Sequence, residues 1–177
     1  MKVELWYDFV CPYCYIGIRR FENALAKFPH SGEVEIVFKS YQLDPQGEIY
    51  SGQSLGQLLA AKYGMSLEEA NQANEEIRQQ AGKLGLDYNL EDIKPTNTLS
   101  AHRLAQYAKT QGKDQALIGK IQHAYFAQGK VISEHNTLIE AAELAGLDKS
   151  EVIEVLKDPY RYEKEVNKDQ AQAEKIE

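Results

Sequence analysis

Two cysteines, Cys11 and Cys14, stand three positions apart where the hydrophobic pattern of the chain changes period, and nothing else in its 177 residues narrows the fold as much. Val3 to Phe9 (VELWYDF) is an aromatic and β-branched run that reads as a strand. Its pattern is nearly continuous, which predicts burial on both faces. From Pro12 onward the period is helical: Ile16, Ile18, Phe21, Ala24, Leu25 and Phe28 share a face, opposite Arg19, Arg20, Glu22 and Lys27. Pro29 and Gly32 end that helix, and Glu33 to Lys39 (EVEIVFK) reads as a second strand. A strand, a helix and a strand joined by a crossover of about twenty residues give parallel, right-handed pairing.

The cysteines open the helix, and that placement dictates their chemistry. Cys11 falls at the N-cap and Pro12 at the first helical position, where a missing N–H costs nothing and a fixed φ suits the helix. The unpaired N–H groups of the first turn then face the Cys11 sulfur, and the helix dipole favours negative charge there. Both effects stabilise a thiolate, so Cys11 is the expected nucleophile and Cys14, one turn on, the expected resolving thiol. Cys11 is expected to be the more exposed of the two. Pro12 and Tyr13 bring no charge and tune the couple. A zinc half-site is the competing reading, but it needs two more ligands, and His102, His123 and His135 would have to converge from elsewhere. A pair of buried cysteines without chemistry is the plainest alternative.

After Tyr41-Gln42-Leu43-Asp44-Pro45 the strand signal disappears. Residues 46–54 form a Gly/Ser/Gln loop, and helices are predicted over 55–63, 66–84, 98–111, 113–128, 135–145, 149–157 and 160–176. Ser66-Leu67-Glu68-Glu69 is a capping box, Asp148-Lys149-Ser150-Glu151 follows the same logic, and Gly112 and Gly146 sit where helix C-caps belong. The chain thus reads as a β-α-β unit over residues 1–45 and a helical region over residues 46–177. A two-stranded sheet is not stable alone, so something else must support it.

Composition excludes several partners. Hydrophobic residues at 43% and charged residues at 27% are globular values, and a net charge of −7 argues against nucleic acid or an anionic membrane as partner. No uncharged apolar run reaches the ~20 residues a membrane span requires. The first eight residues carry two carboxylates and do not read as a signal peptide, so the cytoplasm is the expected location, with a secreted form whose leader has been removed as the alternative. Two cysteines so close together cannot form a stabilising disulfide framework.

Asp8-Phe9-Val10-Cys11-Pro12-Tyr13-Cys14-Tyr15-Ile16-Gly17 resembles the active-site segment of the DsbA-like thiol–disulfide oxidoreductases, in particular their FrnE-type branch. Asn97-Thr98-Leu99-Ser100-Ala101-His102-Arg103-Leu104, Ala124 to Ser133 and Ala145-Gly146-Leu147-Asp148 match further on, in the family's order. The resemblance implies an α/β thioredoxin-like core with a large all-helical domain inserted after its second strand. It also implies a later re-entry into the core through a cis-proline loop, two strands and a helix. The sequence ends at Glu177 without that segment, so a fragment is expected. The exposed edge of the first strand is then expected to be covered by a homodimer, strand exchange or a rearranged helix. No cofactor is implied beyond the redox-active cysteines, with glutathione as a possible co-substrate. Protein or small-molecule thiols and disulfides are the expected partners.

Other polar residues have two readings each. Asp8 either tunes the thiols and accepts protons, or accepts backbone N–H bonds in the strand–helix turn. His102 and Arg103 either line a cleft facing the cysteines or, for His102, join the two parts of the chain through a hydrogen bond. Asn97 is either a cap of the helix that follows or a ligand contact. Tyr41, Tyr125 and Phe126 read as packing, and the Glu/Lys run over 163–177 as a solvated helix face. The rival function is a glutathione-dependent transferase or isomerase of the kappa-class or 2-hydroxychromene-2-carboxylate isomerase type. That group presents a serine at the Cys11 position, so the presence of both cysteines favours exchange.

Overall fold

In the computed structural model, which describes residues 1–176, β1 (Lys2–Tyr7) runs through a turn at Asp8–Val10 into α1 (Pro12–Leu25), and β2 (Glu35–Ser40) returns beside it. The strands are parallel and paired from Lys2↔Glu35 to Tyr7↔Ser40. α1 stops three residues before Phe28, the last of its expected apolar face, because Pro29 sits just beyond, and a short 3₁₀ turn at Ser31–Glu33 leads into β2.

Among the described residues seven α-helices follow: α2 (Leu55–Tyr63), α3 (Leu67–Gly82), α4 (Leu99–Thr110), α5 (Asp114–Phe126), α6 (His135–Leu144), α7 (Lys149–Lys157) and α8 (Glu163–Ala173). The capping residues work as expected. Ser66 Oγ accepts from Glu69 N while Glu69 accepts from Ser66 N, and Asp148 accepts from Glu151 N. Ser54 and Gln57 form a second capping box. α8 begins at Glu163 rather than residue 160 because Tyr162 adopts a left-handed conformation, φ 66°, and breaks the helical run.

One buried cluster joins the two parts of the chain. Tyr7, Phe9, Tyr15 and Phe38 of the β-α-β unit pack with Leu104, Ile118, Ile121 and Phe126 of the helical region. Each fully buried side chain of this size contributes about 1.5–3 kcal/mol. The helices therefore supply the support that the small sheet needs.

Two expectations about the sheet and its cover require correction. β1 is not buried on both faces: Lys2 and Glu4 are exposed and ion-paired at 3.0 Å, and burial is complete only at Tyr7. α8 is not a merely solvated helix, because Val166 and Asp169 are buried against the sheet. Asp169 Oδ2 accepts from Ser40 N at 3.1 Å, on the side of β2 away from β1, and Lys109 Nζ donates to Phe38 O at 3.1 Å on the same edge. Side chains of α8 and α4 thus close the edge of β2. The opposite edge, along β1, carries no strand among the described residues.

Candidate active site at the start of the first helix

The turn from β1 into α1 is built by backbone bonds that leave the Cys11 side chain at the helix mouth. Cys11 N donates to Asp8 O at 3.3 Å, and Tyr15 N donates to Cys11 O at 3.1 Å as the first helical bond. Cys11 is the N-cap and Pro12 occupies the first turn. Cys11 Sγ accepts from Cys14 N at 3.4 Å, so the sulfur caps its own helix. Both cysteines are free thiols and both are half-buried, without the contrast in exposure expected between them. Tyr13, between them, is 65% exposed.

The electrostatics separate the two sulfurs. The Cys11 thiol is pulled from its ordinary 9.0 down to about 7, first by a hydrogen bond from the Cys14 thiol and then, against the opposing cost of burial, by the amides of Cys14 and Tyr13. Cys14 moves the other way. Its proton is held by the bond to Cys11, and burial and the Cys11 charge push it further up. As pH rises through about 7 the pair therefore passes to a state with one proton, on Cys14, and one negative charge, on Cys11. The helix amides matter, but the partner thiol contributes more.

Asp8 and His102 form a buried pair directly behind this turn. His102 Nε2 lies 3.1 Å from Asp8 Oδ1, and the residues are 0% and 2% exposed. Asp8 also accepts from Phe9 N and Leu43 N, each at 2.8 Å. Its carboxylate thus fastens the cysteine turn, the segment after β2 and α4 together. The reading of Asp8 as acceptor of backbone N–H bonds in the turn is met, and its negative charge opposes ionisation of Cys11 and Cys14. His102 sits between the rings of Tyr7 and Phe9, with centroids at 5.3 and 4.8 Å, and joins the parts of the chain rather than lining an open cleft.

Arg103 and Asn97 lie outside the cysteine site. Arg103 donates to the carbonyls of Val155, Asp158 and Arg161, where it closes the C-terminal end of α7. Thr98, not Asn97, is the N-cap of α4; Asn97, one residue earlier, accepts from Leu99 N at 2.9 Å and donates to Gly47 O at 3.0 Å, so it ties the start of α4 to the loop after β2. No three His, Cys, Asp or Glu side chains come together as metal ligands among the described residues.

Tyr88 is a residue that the sequence reading passed over. Its ring stacks on Phe126 (centroids 5.2 Å), which stacks on Tyr15 (4.7 Å), and its buried hydroxyl has no hydrogen-bond partner. Burial, followed by the charges of Cys11 and Tyr13, holds that hydroxyl in its protonated form. Only its position in a non-helical stretch between α3 and α4 could have drawn attention to it.

A parallel β-α-β unit with two cysteines at the helix mouth agrees with a thioredoxin-type fold. The DsbA-like thioredoxin domain family matches residues 2–177, and the chain belongs to that family. A probable DsbA oxidoreductase of Streptomyces coelicolor superimposes with a TM-score of 0.94 at 40% identity, over 99% of this chain and 76% of that one. The cytosolic disulfide reductase DsbM of Pseudomonas aeruginosa shares the fold at a TM-score of 0.63 and 14% identity, over 99% and 80%. An uncharacterized Bacillus subtilis (strain 168) protein, YwbO, is 24% identical over 155 residues, 84% of this chain and 68% of its own length.

Proposed function

We propose that the chain catalyses thiol–disulfide exchange, with Cys11 as nucleophile and Cys14 as resolving thiol. The observation that carries this reading is the Cys11 sulfur at the N-cap, held by the Cys14 thiol and two amides, which lower its ionisation from 9.0 to about 7. The Cys11 thiolate attacks one sulfur of a substrate disulfide, forming a mixed disulfide and releasing the other sulfur as a thiolate that takes a proton from solvent. Cys14 then loses its proton and attacks the Cys11 sulfur, which closes the Cys11–Cys14 disulfide and frees the second substrate thiol. The substrate gains two electrons and the dithiol loses two; the reverse sequence oxidises a substrate dithiol.

The raised Cys14 thiol makes its deprotonation the demanding step. Asp8, whose charge acts on both sulfurs, is the candidate to receive that proton. Protein or small-molecule disulfides are the substrates of this reading, a thiol such as glutathione restores the dithiol, and the cytoplasm is its setting. The likeness to a cytosolic disulfide reductase supports these choices.

Reduction of a protein disulfide, followed by thiol release and by mass spectrometry, tests the assignment. Cys11→Ser is expected to abolish turnover, and Cys14→Ser to stop after one event with the substrate trapped on Cys11. Multiple turnovers by Cys14→Ser would overturn the dithiol mechanism in favour of one that needs a single sulfur.

A further inference from the structure

A cleft with a volume of about 170 Å³ lies between α1 and α5, apart from the cysteines. That is the share of liquid taken by about six waters, enough for a small organic molecule. Gly119 lines it from the middle of α5, and a Cβ built there meets nothing within 4 Å. Glycine inside a helix is destabilising relative to alanine, and neither a close approach nor a positive φ requires it here. Its effect is to keep the cleft open.

Gln122, one turn further along α5, also lines the cleft. Its side chain is buried, the residue being 2% exposed, and its amide Nε2 has no partner. An unpaired buried amide is costly unless something supplies an acceptor.

The charges around the cleft restrict what that something is. Arg19 reaches Leu84 O and Glu22 only over 3.5 and 3.4 Å, which leaves most of its guanidinium N–H groups available. Glu22, whose Oε1 accepts from Gln115 Nε2 at 3.0 Å, lines the same space with Asp87 and His123, and of the two carboxylates Asp87 is the one that no side chain among the described residues bonds. A simple anion would meet two carboxylates, and a simple cation would meet the guanidinium. A molecule with both charges satisfies each, its carboxylate facing Arg19 and the Gln122 amide and its ammonium facing Glu22 and Asp87. Ile18, Ile118 and Phe38 supply an apolar wall for a short alkyl group.

We propose that the cleft between α1 and α5 binds an amino-acid zwitterion with a small apolar side chain, on the scale of valine or leucine. The site is independent of the dithiol chemistry, and its ligand is not a substrate of exchange.

Titration of ¹⁵N-labelled protein with L-valine and L-leucine tests the proposal. Saturable amide shifts are expected around Gly85, Gly119 and His123. Isovalerate, which lacks the ammonium, and isoamylamine, which lacks the carboxylate, are expected to bind about tenfold more weakly, as loss of one charged contact gives. Gly119→Leu should fill the cleft and abolish the shifts, whereas Gly119→Ala should fold with a raised Tm and retain partial binding. Absence of saturable shifts with either amino acid, or shifts unchanged in Gly119→Leu with native circular dichroism, overturns the proposal. Equal binding of isovalerate or isoamylamine overturns the zwitterion assignment.

Discussion

Two buried carboxylates hold this molecule together, and they are neutralised in different ways. Asp169, on α8, accepts from Lys39 Nζ at 3.0 Å, Ser40 N at 3.1 Å and Gln106 Nε2 at 2.7 Å, while its own carbonyl accepts from Trp6 Nε1 at 3.0 Å. A lysine is its ion-pair partner. Asp8, behind the cysteine turn, collects two backbone amides and the imidazole of His102, and no lysine or arginine among the described residues pairs with it. The first arrangement fixes α8 to the sheet. The second leaves a carboxylate charge beside two sulfurs whose protonation it influences.

Breaking the Asp169 node should have the largest effect on stability. Asp169→Ala leaves Lys39, 13% exposed at its side chain, without its closest anion, and it orphans the N–H of Ser40. A cost of about 3–5 kcal/mol is expected, the range for removing one partner of a buried pair. Urea denaturation measures it, and Lys39→Met combined with Asp169→Ala should recover part of the loss. The Cys11 thiolate pKa should not move. A shift in that pKa would remove the distinction between the two carboxylates.

Asp8→Asn should cost less stability, about 1–3 kcal/mol, because the amide oxygen can still accept from one of the two backbone N–H groups. Its distinctive readout is the sulfur. The Asp8 charge opposes ionisation of Cys11, so its removal should lower the Cys11 thiolate pKa below about 7. Thiolate absorbance against pH, measured in the reduced protein, checks the direction. An unchanged or higher value would make Asp8 purely structural.

The two carboxylates also differ in how far the sequence revealed them. The β-α-β opening, the cysteine-capped helix and seven later helices follow from period, proline and capping signals that act over a few residues. Asp8 was visible as a polar residue three before Cys11, but its partner lies 94 positions away, and no local pattern connects them. Asp169 was hidden more deeply. α8 reads EKEVNKDQAQA, with Val166 as its one large apolar residue, and such a sequence predicts a solvated face. It is buried through hydrogen bonds and an ion pair rather than apolar area, and hydrophobic periodicity does not register that kind of docking. Arg103 was misread for the same reason: its carbonyl partners between Val155 and Arg161 become neighbours only in the fold.

A pH dependence of stability sharpens the contrast further. The Cys11 thiol ionises at about 7 in the fold and at an ordinary 9.0 in an unfolded chain. A lowered folded value means that the unfolded state binds more protons between the two, so stability rises as pH increases from about 7 towards 9 and falls away as pH drops through 7. The gain is on the order of 1–2 kcal/mol for the reduced protein, and Cys11→Ser should lack it. Asp8→Asn should widen the window towards lower pH. Asp169→Asn should leave it in place.

The smallest effect expected is also the cleanest discriminator. Trp6→Phe keeps an aromatic ring at the position but removes the Nε1 donor to the Asp169 carbonyl, a single hydrogen bond between β1 and α8. The loss should be about 1 kcal/mol by denaturant midpoint, with no change in denaturant slope. Trp6 and Asp8 are two residues apart in the chain, so a perturbation of β1 that spread along the strand would reach the cysteines. Successive strand residues, however, point to opposite sides of the sheet, and Trp6 faces α8 while Tyr7 packs on Phe9 and His102. The thiolate pKa and exchange rate of Trp6→Phe should therefore match those of the parent protein, and a change in either would show that the α8 face and the cysteine turn respond as one unit.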